Sequence, residues 1–289
     1  MAAAATTVRV RRSADRGSAD HGWLQSRFTF SFAEYSDPRY DSFGVLRVLN
    51  DDTVASAEGF PTHGHRDFEI WSYLLGGRLE HKDSMGNSEI LSRGHVQLTS
   101  AGTGIRHSEF NADKRRGGEA VRFLQIWAQP AQRGVKPSYQ TGFFDEARKL
   151  DALVQILAAG GASGAGAGAG GPAAPAAAST EPLVVGTDLR MHASILRPGA
   201  RVSLEVPAGH RRAYVHVPII GASAGVELTA AGAAPVRLAP GDGAFVENLG
   251  GPIAFVGLGE AAVGGAGGGG ASAGAADSFR TEFVVMDFA

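Results

Sequence analysis

The sequence predicts an all-β protein built as two β-barrel or jelly-roll domains in tandem. Three observations predict this. Short runs of Val, Ile, Leu, Phe and Tyr alternate with glycine-containing turns along most of the chain, at the ~8–12-residue spacing of barrels and sandwiches. The length, 289 residues, suits two domains with one core each. A Gly/Ala-rich tract near the middle divides the chain where a linker would lie.

In chain order, Gly44 to Leu49 reads as a strand followed by the turn Asn50-Asp51-Asp52. Glu69 to Leu75 reads as another, closed by Gly76-Gly77. The best helical periodicity spans Phe144 to Leu157, with Leu150, Leu153, Val154 and Leu157 on one face, and predicts one helical segment between the domains. Ala158 to Ala178 and Gly264 to Ala276 are almost pure small residues. They offer no side chains to bury and are expected to be surface insertions. Strands are expected at Met191 to Leu196, Arg201 to Val206, Arg212 to Val217, Val226 to Ala230 and Gly243 to Val246. The last, Thr281 to Phe288, places Phe283, Val285 and Asp287 on one face. The domains are therefore drawn at 8–147 and 181–289, with 148–180 as linker and the second Gly/Ala-rich insertion inside the second domain.

Composition excludes several function classes. Hydrophobic residues make up 44%, a globular share inflated by alanine in the two tracts. Net charge is −2, so no electrostatic footprint for nucleic acid or an anionic membrane is present. The cluster Arg9, Arg11, Arg12 and Arg16 is expected to be a solvated strand and loop. With no cysteine there is no disulfide framework, thiolate metal site or cysteine nucleophile. No apolar run reaches the ~18 residues of a spanning helix. The Ala/Thr-rich start has the composition of a transit peptide, but domain-like sequence begins by about Val8, and no cleaved leader is expected.

The chemistry-bearing residues come in two pairs. His63 and His65 stand two apart in Gly59-Phe60-Pro61-Thr62-His63-Gly64-His65, so on a strand they project to one face. His107 and Glu109 repeat that geometry after Ser100-Ala101-Gly102-Thr103-Gly104, where the glycines permit a tight backbone turn. Two such pairs from different strands of a small barrel can meet inside it as three imidazoles and a carboxylate. That donor set suits Fe(II), Mn, Ni or Cu.

These segments resemble a known family. His63-Gly64-His65, followed by Glu69 and Gly76, is similar to the first cupin motif; Gly94 through Gly104, followed by His107 and Asn111, resembles the second. His107-Ser108-Glu109 after Ser-Ala-Gly-Thr-Gly is the pirin version. His21-Gly22-Trp23-Leu24, Arg47 to Asp52, Leu79 to Asn87 and Gln125-Ile126-Trp127 extend the resemblance over nearly the whole chain outside the two tracts. The second domain, through Arg211 to Val217 and Glu282 to Phe288, looks more like bacterial flavonol-cleaving relatives than the vertebrate nuclear protein.

The resemblance implies a bicupin whose first barrel holds one metal ion on His63, His65, His107 and Glu109. Fe(II) is favoured, and Mn, Ni, Cu or Zn are also accommodated by such ligands. Ordinary cupins use the carboxylate at the Glu69 position; pirins use that at Glu109, leaving Glu69 to support the ligands. The implied activity is quercetin 2,3-dioxygenase: a flavonol and O2 are the substrates, and Glu109 doubles as the catalytic base. The alternative it implies is an iron-dependent redox-sensitive transcriptional co-regulator acting through a transcription-factor partner. Direct nucleic-acid or membrane binding is not expected, and the cytoplasm, with the nucleus open, is the expected location. The remaining histidines receive structural readings: His81 at the rim of a hairpin turn, His95 exposed, His21 capping a loop. His192, His210 and His216 are too scattered for a ligand set, so the second barrel is expected to be metal-free. Trp71, Tyr73, Phe123 and Trp127 are expected in the core, with one or two at the cavity wall.

Overall fold

The computed structural model describes residues 4–160, 178–221, 223–259 and 279–289. Most of the first Gly/Ala-rich tract, residues 161–177, and all of 264–276 lie outside the described residues; Ala158 and Ala159 end the strand Val154–Ala159.

Among the described residues the regular structure is nearly all strand, and the chain forms two compact units. The N-terminal unit comprises Arg16–Asp145 and Ile156–Leu189. The C-terminal unit comprises Met1–Asp15, Glu146–Gln155 and Arg190–Ala289. Sequential domains at 8–147 and 181–289 differ from this division because pairing crosses the tandem order. Thr7–Arg11 joins the C-terminal sheet, with Val8 opposite Val246 and Val10 opposite Ala244. Both valines pack on the C-terminal core, and the strand covers a sheet edge that would otherwise stand open. Leu183–Val185 runs parallel to Val154–Ala159, with Leu157 opposite Leu183.

The expected helix over Phe144 to Leu157 shrinks to the four residues Glu146–Lys149. Asp151 ends it at φ 52°, a left-handed conformation that interrupts helical hydrogen bonding. The segment that follows, with β-branched Val154 and Ile156, is extended as Val154–Ala159.

The N-terminal unit is two facing antiparallel sheets. The larger runs in the order Ser138–Phe143, His95–Ser100, Glu69–Gly76, Val121–Ala128, Leu46–Val54, Leu24–Phe28 and Gly17–Asp20. The smaller runs Gly59–His65, Ile105–Asn111, Arg78–Asp83 and Ser88–Ser92. One end of the interior is apolar: Leu24, Val54, Leu74, Leu79, Leu91, Val121 and Phe123 form a buried cluster. Beside it lies a polar rung. Asn50, Gln125, Ser72 and Gln97 are successive cross-strand partners, so their side chains share one face of the large sheet. Asn50-Asp51-Asp52 is thus not a turn but the middle of Leu46–Val54, all three buried. The two carboxylates have partners inside the fold: Ser26 Oγ donates to Asp52 Oδ1 at 2.5 Å, and Arg122 lies 3.6 Å from Asp51. Trp71, Tyr73 and Phe123 are fully buried core residues.

In the C-terminal unit, Thr7–Arg11, Gly243–Glu247, Arg212–His216, Thr281–Phe288 and Leu189–Leu196 are successive neighbours. They face a sheet of Arg201–Leu204, Ile253–Gly257, Val226–Ala230 and Val236–Leu238. Phe283 and Val285 enter its core with Val215, Val246 and Phe255. The arginine cluster is solvated only in part: Arg9, over the Phe245 ring, and Arg12, donating to Asp242 at 2.7 Å, are exposed, whereas Arg11 and Arg16 are buried, Arg16 donating to the Arg27 carbonyl.

His192 gives this unit a pH-dependent stability. The buried Asp287 accepts from Arg190 at 2.8 Å and from His210 Nδ1 at 2.6 Å, and His192 Nδ1 lies 3.8 Å away. Burial pushes His192 down to about 4, with Asp287 opposing and Arg190 assisting. Between the unfolded value near 6.5 and that folded value, the unfolded chain takes up a proton that the native state refuses. Stability therefore falls as pH falls through this window, by on the order of 3 kcal/mol. Urea unfolding of wild type and His192→Gln at several pH values between 7 and 4 checks this. The variant should lose less stability across the window, and parallel profiles would contradict the assignment.

Candidate metal centre

The four donors expected from the sequence lie on two adjacent strands of the smaller sheet. In Ile105–Asn111 every odd residue is buried, so His107 and Glu109 point inward together. In Gly59–His65, His63 pairs opposite His107, whereas Phe60 pairs opposite Glu109. A register shift therefore inserts an extra residue around Pro61 and Thr62. Proline suits a bulge because it has no N–H to donate to the ladder. The bulge also brings the Pro61 carbonyl within 2.8 Å of His63 Nδ1. A carbonyl only accepts, so Nδ1 carries the proton and the Nε2 lone pair is free to ligate.

Two glycines allow this approach. Gly102 has φ 45° before the strand, and a Cβ there would strike the Val135 carbonyl. A Cβ on Gly59 would strike the Glu109 carbonyl and come within 2.5 Å of the Phe110 Cα.

His63, His65 and His107 converge, with ligand atoms all within 4.8 Å of one another. The Nε2 atoms of His63 and His107 are 3.1 Å apart, and the ring centroids are 4.5 to 4.8 Å apart. Burial, with help from His107 and His63, pushes His65 down to about 4 against the pull of Glu109. Burial also lowers His107. Neutral imidazoles with free lone pairs are what a cation requires. His65 Nε2 and His107 Nδ1 are buried without a hydrogen-bond partner, which fits a donor set completed by an ion.

Glu109 belongs to a second group, with His107 and His81, again within 4.8 Å. Its oxygens accept from Ser72 Oγ and Gln125 Nε2, each at 3.3 Å, and Ser72 also donates to Gln125 at 2.8 Å. The polar rung thus holds the carboxylate. His81 departs from its expected place at a rim: it lies within Arg78–Asp83, fully buried and directly opposite Glu109. The turn begins later, where Asp83 accepts from the Met85 and Asn87 amides. The turn signal at 83–87 masked a residue two positions upstream that shares the inward face of Asp83.

Glu69 stands apart from both groups, on the sheet face opposite Ser72. It accepts from Ser100 Oγ at 2.7 Å and from the Gly186 amide at 3.1 Å, and burial raises its carboxyl. His95 is half-buried against Phe143 rather than exposed.

A cavity of about 440 Å³ opens over the histidines, within the range of small-molecule sites. His63, His65 and Glu109 line it at one end; Leu24, Phe28, Phe32, Phe60 and Trp127 supply apolar walls. Trp127 meets His65 edge-on at 4.8 Å. His21, Asn50, Asp52 and Gln125 add polar groups. Burial, with Asp51 and Glu109 adding repulsion, pushes Asp52 up to about 7. Sequence reasoning missed Asp52 and Asn50 as cavity residues. Their signal was a polar pair at i and i+2 after an apolar run.

Comparison with known proteins accords with this geometry. The family model described as Pirin matches residues 7–128. A pirin-like protein of Caulobacter vibrioides is 36% identical over 232 residues, covering 80% of this chain and 87% of its own. The chain belongs to the pirin family. A quercetin 2,3-dioxygenase of Escherichia coli K12 is 48% identical over 138 residues, 48% of this chain; the match spans 58% of that enzyme's length. The crystal structure of YhhW from Escherichia coli superposes with a TM-score of 0.74 at 29% identity, covering 98% of each chain. The structure of YhhW in complex with nickel(II) gives 0.73 at 29% identity, covering 98% of this chain and 99% of that one. The expected pirin bicupin fold is borne out by these neighbours. Among the described residues, no helix is long and apolar enough to cross a membrane.

Proposed function

We propose that this pirin is a metal-dependent dioxygenase that cleaves a flavonol such as quercetin with O2, opening the central ring and releasing carbon monoxide. One observation carries the reading: His63, His65 and Glu109 line an aromatic-walled cavity, and His107 is grouped with the two histidines. The E. coli relative's name supports the substrate class and favours the enzyme over the transcriptional co-regulator.

His63, His65, His107 and Glu109 would hold the ion, Fe(II) first, with nickel supported by the E. coli complex. When bound, the metal supplies Lewis-acid activation of the flavonol oxygens and a redox path to O2. The protein's own groups do the rest. Phe28, Phe60 and Trp127 bind and orient a flat aromatic substrate and exclude water. Glu109, held by Ser72 and Gln125, takes the 3-hydroxyl proton on a carboxylate oxygen. Asn50 and Asp52 offer hydrogen bonds to phenolic hydroxyls at the wall.

The test is a quercetin assay across a series of metal loadings. Loss of the flavonol absorption should match O2 uptake and carbon monoxide release one to one and scale with bound metal. Trp127→Ala should raise KM about tenfold or more, the cost of losing an aromatic wall worth ~1.5 kcal/mol. Quercetin left intact by fully loaded protein would contradict the proposal.

A further inference from the structure

We propose that His81, His107 and Glu109 form a second, inner seat for a divalent transition-metal ion, overlapping the outer seat on His63, His65, His107 and Glu109. The inference rests on reading the cluster as a metal centre and adds a ligand to it.

Strand register builds the inner seat. His81 is the direct cross-strand partner of Glu109, and Asp83 is that of His107, so all four side chains share one inward face. His81, His107 and Glu109 are each exposed by 2% or less. Their ligand atoms lie within 4.8 Å of one another, as tight a grouping as the outer three. Two imidazoles and one carboxylate are a donor set typical of Fe(II), and they also suit Co(II), Ni(II) and Cu(II).

The surroundings of His81 are those of a ligand. Its Nδ1 is buried with no hydrogen-bond partner, as is that of His107. Its Nε2 lies 3.5 Å from Asp83 Oδ2, at the limit of a hydrogen bond; a proton shared there leaves the Nδ1 lone pair for a metal. Tyr139 stacks on the His81 ring at 4.8 Å and 16°, and donates its own hydroxyl to Glu89 at 3.3 Å. A carboxylate behind the ring and a fixed ring plane are how proteins orient metal-binding histidines. A buried imidazole nitrogen without a partner, beside a second imidazole and a carboxylate, is a group that a bound ion would satisfy.

The two seats differ in access. His63, His65 and Glu109 line the substrate cavity, whereas His81 and His107 do not. Since His107 and Glu109 belong to both, one ion is bound at a time. The inner seat keeps an ion when the cavity-side histidines are withdrawn.

The experiment uses full-length His63→Ala/His65→Ala protein and Cu(II) alone as probe. Both replaced residues are only partly buried, and circular dichroism verifies the fold. After gel filtration we expect one Cu(II) per chain, bound more weakly than in wild type by more than the ~100-fold that disturbing a residue behind a ligand costs. Pulsed EPR should count two coordinated imidazoles, which requires His81 beside His107 without replacing the buried His81. Adding His81→Gln should lower affinity at least tenfold further and leave one imidazole. A double variant that retains no copper, or shows a single imidazole, overturns the inner seat. If wild type holds one ion in those cases, the metal-centre reading stands and only the inner seat falls. A wild type that holds none removes both.

Discussion

Replacing His107 with alanine is expected to empty the centre more completely than any other single change. Among the described residues, His107 is the one imidazole common to the two donor groups, and its Nε2 is 3.1 Å from that of His63. Losing His63 removes one donor of the outer group and leaves the inner group whole; losing His107 breaks both. The expected fall in metal affinity exceeds the 10- to 100-fold typical of disturbing a residue behind a ligand. Turnover should fall in proportion to metal content. Metal analysis after gel filtration, beside a His95→Ala control, checks this. His95 packs on Phe143 and is in neither donor group, so that variant should keep its ion. Full metal content in His107→Ala would contradict the geometry.

The second large effect concerns stability. Lys149 ends the short helix Glu146–Lys149 and lies 3.3 Å from Glu282 of the last strand, with both side chains almost wholly buried. Two desolvated charges tolerate each other's presence but not each other's absence. Lys149→Met would take the ammonium away from the buried Glu282 carboxylate, at a cost of about 3–5 kcal/mol. Lys149→Met/Glu282→Leu removes both charges and should recover most of that loss. A double-mutant cycle by urea unfolding measures the coupling, expected to reach ~2 kcal/mol or more. A Lys149→Met protein within ~0.5 kcal/mol of wild type would show that the pair contributes nothing of the kind.

How legible this was from the sequence depended on the distance over which each signal acts. His63/His65 and His107/Glu109 were readable because a two-residue spacing on a strand has one geometric meaning, and the structure groups the three histidines as that meaning requires. Strands such as Val226–Ala230 and Thr281–Phe288 were readable for the same reason. His81 was misplaced because a strong local turn signature stood beside it. Its inward direction depends on register with Ile105–Asn111, some two dozen residues away, which no local pattern encodes. Asn50-Asp51-Asp52 looked like a turn because polar triplets usually are; here Ser26 and Arg122 make the strand interior hospitable to them. Thr7–Arg11 could not be assigned to the C-terminal unit from composition, since its partners lie at Gly243–Glu247. The short helix failed for a conformational reason, the left-handed Asp151.

The most direct test of the central claim follows quercetin absorption on metal-loaded and metal-stripped protein, first without O2 and then with it. The account predicts that loaded protein shifts the flavonol band anaerobically, as Glu109 takes the 3-hydroxyl proton beside the ion, and loses the band when O2 is admitted. Stripped protein should do neither. An equal shift and equal loss in stripped protein would show that the His63, His65, His107 and Glu109 cluster is not the seat of the chemistry.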